Sequence, residues 1–594
     1  MLQSSVGSSF LSLINFKSNE NSKECINQKF LKIAGKEPNY SVDTETKTVD
    51  ICCSPATKIG KSKDANIIVV LHGEIYYSCL DQASYLADKF AKYGDRFANE
   101  IHGSFAILLI DKVKDSVFLI TDRINSRRVF YSQYQNSYCL SSHFSHQPWD
   151  TFPLDPTGIA WYLSNHSVRC NRTLFKGISI FERASIHQLS REEIKSEVYW
   201  NLKINLDHSK KSKKQLEIEL SELLIQSVKR RLYDNSTPVL SLSAGYDSTT
   251  ILGIFAYELQ LSQVSCFAFD RGIPQPGSDA YQASLMAEKV GYSFELVESY
   301  TGNFIDFIVN NAQQSVGNEL CSPCSEPDAW QTLRTKFSST EHPAFFFGDE
   351  CIGMGESYTL SDVFDLLASL QVFSFDRLSL LSSFLTNDLY EEFKNTLAED
   401  IKIMIKNCPP TTNLHDAQFL LKLNEITANW ILPYRESYPG QYGNVRNPLL
   451  DNDILNFIGS VPLPLRKNKF LYRHTVINRY PELFSIPRAT SSGNYYLDLR
   501  TECIKHKSLI RSLIKSQDSR LDELIPPDVL LKLLDYVLIQ ALPTPSLKTQ
   551  KLTFPQNFIS KARRKFLPKK PKIPPTNAAN ILTKMLILRV ALSH

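Results

Sequence analysis

"VLSLSAGYDSTTIL", residues 239–252, decides how the chain is read. An apolar run stops at Leu242, and a turn of small residues follows: Ser243, Ala244 and Gly245. One carboxylate, Asp247, and one hydroxyl, Ser248, then open a helical pattern. A turn between a buried strand and a helix lets the backbone approach an anion, and the helix N-terminus adds free N–H groups and a favourable dipole. The usual phosphate loop ends in Gly-Lys-Ser/Thr, and this one has no lysine. Asp247 would repel phosphate unless Mg²⁺ bridges the two. The stretch therefore points to ATP held so that pyrophosphate can leave.

The flanking sequence supplies the sheet. After "TPVLSLS" and a helix expected from about Ser248 to Leu261 come the strand "QVSCFAFD" (263–270), the helix "SDAYQASLMAEKVG" (278–291) and the strand "FELVES" (294–299). This alternation predicts a doubly wound parallel sheet, whose ligands lie beyond the carboxyl ends of its strands. Residues 1–200 read instead as mostly β, with "NIIVVLHGEIYYS" (66–78) as a strand and 103–123 as a hairpin turning at Lys112–Asp115. From about Ser361 to Leu432 the pattern is helical.

The 594 residues exceed one core, so two or three domains are expected. At 43% hydrophobic and 22% charged the chain is an ordinary globular one, and a net charge of +4 is too small to imply nucleic acid. The charge is uneven: residues 542–594 carry eleven Lys/Arg, seven prolines and no acid. That stretch reads as a basic Pro-rich extension, either solvated or an arm for an acidic partner, and "ILTKMLILRVAL" (581–592) as a helix that packs on the body or on a partner. Twelve scattered cysteines fit a reducing, cytoplasmic setting, with Cys321-Ser-Pro-Cys324 read as two ordinary thiols. No apolar run suits a membrane span, and the N-terminus has no basic region of a signal peptide.

Several stretches, in order, resemble the asparagine synthetase family. Ser243-Ala-Gly-Tyr-Asp247-Ser248 resembles its Ser-Gly-Gly-x-Asp-Ser loop, and "FGDECIGMG" its Gly-Ser-Asp-Glu-x-Phe-Gly-Gly, with Asp349 and Glu350 retained. "VRNPLLDNDILNFIGSVPLPLRKNKFLYR" (445–473) is similar to the Val-Arg-x-Pro-Phe-Leu-Asp segment. Upstream, "LHGEIYYS", the 103–123 hairpin and "LFKGISIFERAS…YW" (174–200) resemble the amidotransferase half. The resemblance implies an N-terminal αββα amidotransferase-like sandwich (1–200), an ATP-pyrophosphatase α/β domain with helical additions (201–541) and the extension (542–594). It further implies an ATP-dependent ligase that adenylates a carboxylate and passes it to an amine, both small molecules or peptides. Asp247 and Asp349 would hold Mg²⁺. Ser243, Gly245, Ser248 and Gly348 would cradle phosphate, and Leu242 and Phe269 would lie by the adenosine.

The chain also departs from the family. The glutaminase nucleophile is a Cys after the initiator Met, and here that position is Leu2; the Asn of Asn-Gly-Glu is His72. Glutamine hydrolysis is therefore expected to be absent, as in β-lactam synthetases and lasso-peptide cyclases, which close a carboxylate on the substrate's own amine. The family's Glu three residues before the second acid is Phe346, which cannot take a proton. Its late phosphate-contacting Lys has no clean counterpart; Arg488 stands near that place and is the candidate catalytic cation. Lys467 and Lys469 read as surface lysines. Three readings remain: a glutamine-independent amide ligase, an intramolecular cyclase, and a nucleotide-binding pseudoenzyme or partner-binding module.

Overall fold

A computed structural model describes residues 8–17, 36–134, 136–165, 167–204, 210–234, 236–315, 326–337, 343–353, 366, 375–408, 411, 413–493, 495–516, 518–539 and 575–593. Leu2, the Cys321/Cys324 pair and residues 540–574 lie outside them.

Two six-stranded antiparallel sheets form the N-terminal sandwich. One runs Ile178–Ile180, Phe130–Tyr134, Ser137–Ser141, Phe10–Phe16, Lys47–Cys53, Tyr40–Asp43 in spatial order. The other runs Ile194–Val198, Ser185–Leu189, Ser116–Thr121, Gly103–Asp111, Ile67–Ile75, Lys58–Lys61. Period-two alternation sorts the side chains. Ile68 and Val70 point between the sheets with Phe10, Ile14, Val49 and Leu108, while Val69 and Leu71 point outward under the helix Gln82–Tyr93. The expected hairpin pairs Asp111 with Ser116, and Asp115 takes the positive φ the turn requires.

The second half holds a five-stranded parallel sheet, ordered Ser293–Glu298, Ser265–Asp270, Thr237–Ser241, Pro343–Phe346, Asn444–Arg446. In chain order this is 3-2-1-4-5. The direction of winding reverses between Thr237–Ser241 and Pro343–Phe346, and a doubly wound sheet opens its ligand crevice at such a switch point. Leu240 lies opposite Phe346 in register, so the loops after Ser241 and after Phe346 emerge side by side. The helix after the first strand starts at Tyr246, two residues earlier than the sequence suggests, and runs to Gly253 before a π-turn, Ile254–Glu258.

Residues 575–591 are not a solvated extension. They form a helix in a core shared with Phe304–Ser315, Leu499–Lys505, Pro527–Ile539 and, from the N-terminal half, Pro156–Ser164. Ala578, Ile581, Leu582, Met585 and Leu586 are fully buried. Two of the eleven tail cations lie inside this fold: Lys584 donates to the carbonyls of Tyr162 and Asn165, and Arg589 pairs with Asp522. The apolar face outweighs the charge run because its buried side chains each contribute about 1.5–3 kcal/mol. The other nine cations fall on 548–572, outside the described residues. No described helix is long and apolar enough to cross a membrane.

Candidate functional site

The loop 242–248 is tied by its own side chains. Ser248 Oγ accepts from the Ser243 amide at 3.0 Å, Ser243 Oγ accepts from the Gly245 amide at 3.2 Å, and Asp279 accepts from the Ala244 amide at 2.9 Å. The amides of Tyr246 and Asp247 open the helix and so have no intrahelical acceptor. Arg488 closes the loop from the other side, donating to the carbonyls of Ala244 at 2.6 Å and Gly245 at 3.3 Å. Its guanidinium lies over Tyr246 and Phe484. Its Nη2 is buried with no partner among the described residues, leaving a spare donor at the loop.

The acids carried by the two neighbouring loops are met by three cations. Lys469 lies 3.2 Å from Asp247 and 2.9 Å from Glu350, and Lys422 lies 2.6 Å from Glu350. Arg435 grips both oxygens of Asp349, at 2.8 and 2.9 Å. Burial, followed by the Glu350 carboxylate, pushes the Asp247 pKa up against the pull of Lys469. Burial works in the same direction on Glu350, but Lys422 and Lys469 outweigh it and hold that carboxyl well below its usual range. Gly348 presses against this group: a Cβ there would stand 3.0 Å from Asp247 Cβ and 2.8 Å from the Ser248 amide.

Ser243, Gly245, Asp247, Ser248, Gly348, Asp349 and Arg488 thus converge on the switch point. Leu242 is buried beneath the loop, its amide donating to the Phe267 carbonyl, and Phe269 lies near the end of the adjacent strand, its ring T-shaped against Trp330. Lys469 is not a surface lysine: only 13% of its side chain is exposed, and its left-handed backbone turns it into the site. Sequence reasoning missed Lys422 and Arg435. They lie on the helical run Leu414–Ser437, which includes a π-helical stretch, Lys422–Ile431, and no local pattern marks them. Phe346 is fully buried against Phe255.

The donors suit a hard cation. Asp247 and Asp349 offer carboxylate oxygens, and the missing Cβ of Gly348 lets their loops touch. Since Arg435 and Lys469 already hold these oxygens, an ion would exchange with the cations rather than add to them. His102, Asp451 and Asp453 also cluster and are likewise met by cations, Arg230 and Arg231 lying 2.7 and 2.8 Å from Asp451. A cavity of about 1090 Å³ opens elsewhere, between the halves, lined by Asn125, Arg183, Asn424 and Asn429 among others.

In the N-terminal half the described side chains around His72 and Glu74 are engaged with one another and with the helical run. His72 is buried, with Nδ1 2.9 Å from Ser8 Oγ and Nε2 3.0 Å from Glu436 of the helical run. Burial lowers the His72 pKa against the opposing pull of Glu436. Glu74 accepts two bonds from Arg446, each 3.0 Å, and one from Tyr233 at 2.8 Å. Cys52 and Cys53 are free thiols in a strand.

Comparison with known proteins agrees with both halves. A glutamine amidotransferase domain model matches residues 61–200, and an asparagine synthase model matches residues 219–314. Amidase chyE of Penicillium rubens is 25% identical over 171 residues, 28% of this chain and 25% of its own. A putative glutamine-hydrolysing asparagine synthetase 2 of Methanocaldococcus jannaschii is 25% identical over 224 residues, 34% of this chain and 43% of its own. Glutamine-hydrolysing asparagine synthetase 2 of Bacillus subtilis is 25% identical over 232 residues, 34% of this chain and 30% of its own. The chain therefore spans less than half the length of each of these relatives. In its two matched segments it resembles the asparagine synthetase family.

Proposed function

We propose that the chain is an ATP-dependent carbon–nitrogen ligase that adenylates a carboxylate, releases pyrophosphate and passes the acyl group to an amine without hydrolysing glutamine. The observation that carries this reading is the convergence of a phosphate-type loop, two aspartates and four cations at the switch point of the parallel sheet. The loop amides and Arg488 Nη2 would receive the phosphates. Lys469 and Lys422 would turn from Asp247 and Glu350 to the departing pyrophosphate, whose charge they offset in a water-poor site. Asp247 and Asp349 would hold Mg²⁺, which when bound neutralises phosphate charge and orients the leaving group. Glutamine independence is supported by the pocket around His72 and Glu74, where side chains already occupy one another's hydrogen-bonding positions. The acyl and amine partners would be small molecules or peptides, and an intramolecular amine would make the chain a cyclase.

One observation favours a nucleotide-binding pseudoenzyme instead: Phe346 is a core residue and supplies no proton acceptor. A single assay separates the two. Full-length protein is incubated with Mg·ATP and a panel of amino-acid and peptide carboxylates, with ammonium, with glutamine, or with neither. AMP and pyrophosphate appearing with a carboxylate, and no glutamate from glutamine, is the expected result. ATP binding without pyrophosphate under every condition would support the pseudoenzyme, and steady glutamate production would end the glutamine-independent reading.

A further inference from the structure

With Phe346 facing the core, a different carboxylate stands on the ligand side of the sheet. Glu326 immediately precedes the helix Pro327–Lys336 and is 4% exposed. Tyr434 donates its hydroxyl to Glu326 Oε1, and the Tyr495 hydroxyl lies 3.1 Å from both carboxylate oxygens. Tyr434 directly precedes Arg435, whose guanidinium holds Asp349 and lies 5.4 Å from the Tyr434 ring centre and 3.9 Å from that of Phe347. One contiguous chain of contacts therefore runs from Asp349 through Arg435 and Tyr434 to Glu326 and Tyr495.

The segment carrying Tyr495 is fixed over the strand ends. Arg488 binds the loop, the Asp279 amide donates to the Ser491 carbonyl at 3.1 Å, and Arg271 donates to the Tyr496 carbonyl at 2.6 Å. Gly493, at φ +63°, lies so close to Asp270 that a Cβ would stand 2.5 Å from its carboxylate. This anchoring brings Tyr495 to the same face as the nucleotide loop.

A buried carboxylate held by two tyrosine hydroxyls is a site that can recognise a primary ammonium through charge-assisted hydrogen bonds. We propose that Glu326, with Tyr434 and Tyr495, forms the subsite for the ammonium group of the acceptor amine, taking the part that Phe346 cannot. The inference rests on the ligase reading. In that reaction one N–H proton of the ammonium passes to Glu326, and the nitrogen lone pair attacks the acyl carbon of the acyl-adenylate. The bond from that carbon to the AMP oxygen then breaks, AMP leaves with the electron pair, and the second proton goes to solvent.

The test uses ethylammonium chloride as probe, with saturation-transfer NMR on the full chain in the presence of a non-hydrolysable Mg·ATP analogue. The wild type should bind both. Glu326→Gln should weaken ethylammonium binding at least tenfold while leaving the nucleotide untouched, and Asp247→Asn should do the reverse. Tyr495→Phe, which keeps the ring, should weaken ethylammonium binding severalfold and serves in place of Glu326→Gln should that variant not fold. Undiminished ethylammonium binding in the folded variant overturns the subsite, as does a wild type that binds nucleotide and no ethylammonium. A wild type that binds no nucleotide removes the ligase reading instead.

Discussion

Around His72 and Glu74 the central ion pair is out of water, with only Asp234 at its edge 30% exposed, while around Asp247 and Glu350 the cations themselves keep exposed surface. Arg446 has no exposed side-chain surface and is shared between Glu74 and Asp234. Lys469 and Asp247 keep 13% and 26% of their side-chain surface. A fully desolvated pair strongly resists losing one partner. A partly wet lysine can turn from a carboxylate to a phosphate oxygen at little cost. The two regions thus differ: one serves as a joint between the halves, and the other, on the proposed reading, would exchange charge with a ligand. Substitutions in the first should change stability, and substitutions in the second should change binding.

The largest effect concerns what joins the two halves. Removing residues 575–594 uncovers a core contributed by both, and the loss should exceed the roughly 5–15 kcal/mol that holds a domain folded. Circular dichroism should find no cooperative melt; a truncated chain that melts like the full one would mean that the helix only decorates the body. Next, Arg446→Ala should cost about 3–5 kcal/mol, because Glu74 is left buried without its cation. Urea denaturation measures this, and a change under 1 kcal/mol would mean that the joint is not sealed.

Acid should act on the N-terminal half first. His187 is buried and its pKa is pushed down to about 4 by burial. Its contribution to stability is complete above about pH 6.5, the unfolded value, and is lost as pH falls toward 4, because the unfolded chain takes up the proton first. That is about 3 kcal/mol from this group, and buried His72 shifts in the same direction. Thermal melts between pH 7 and 4.5 should therefore bring the β-sandwich transition down; a flat profile would contradict the burial described. Smallest in stability, Asp247→Asn should change unfolding by under about 1 kcal/mol, the usual scale for a partly exposed pair, yet weaken Mg·ATP binding at least tenfold.

Much of this contrast was legible in the sequence. The apolar run ending at Leu242 marked a strand whose following loop carries Asp247, and the alternation of strand and helix through residue 299 gave three of the five strands, while Pro343–Phe346 and Asn444–Arg446 were not read as strands. The loop residues Ser243 to Ser248 were readable because a strand-to-helix turn leaves a local signature. Lys422 and Arg435 left none, since their place depends on how the helical run 414–437 crosses the sheet and widens into a π-helix. Lys469 looked like one lysine of a basic pair, and only its left-handed backbone aims it inward. In the tail, "ILTKMLILRVAL" was legible as a packing helix, but the charge count assigned it to an extension, because the partners that bury it lie hundreds of residues away.

The account stands most directly on calorimetric titration of the full-length protein with Mg·ATP and, separately, with glutamine. The charge-exchanging loop predicts saturable heat with Mg·ATP whose affinity Asp247→Asn lowers at least tenfold, and the paired side chains of the N-terminal pocket predict no heat with glutamine. Saturable binding of glutamine, with none of Mg·ATP, would reverse the roles assigned to the two halves and contradict it.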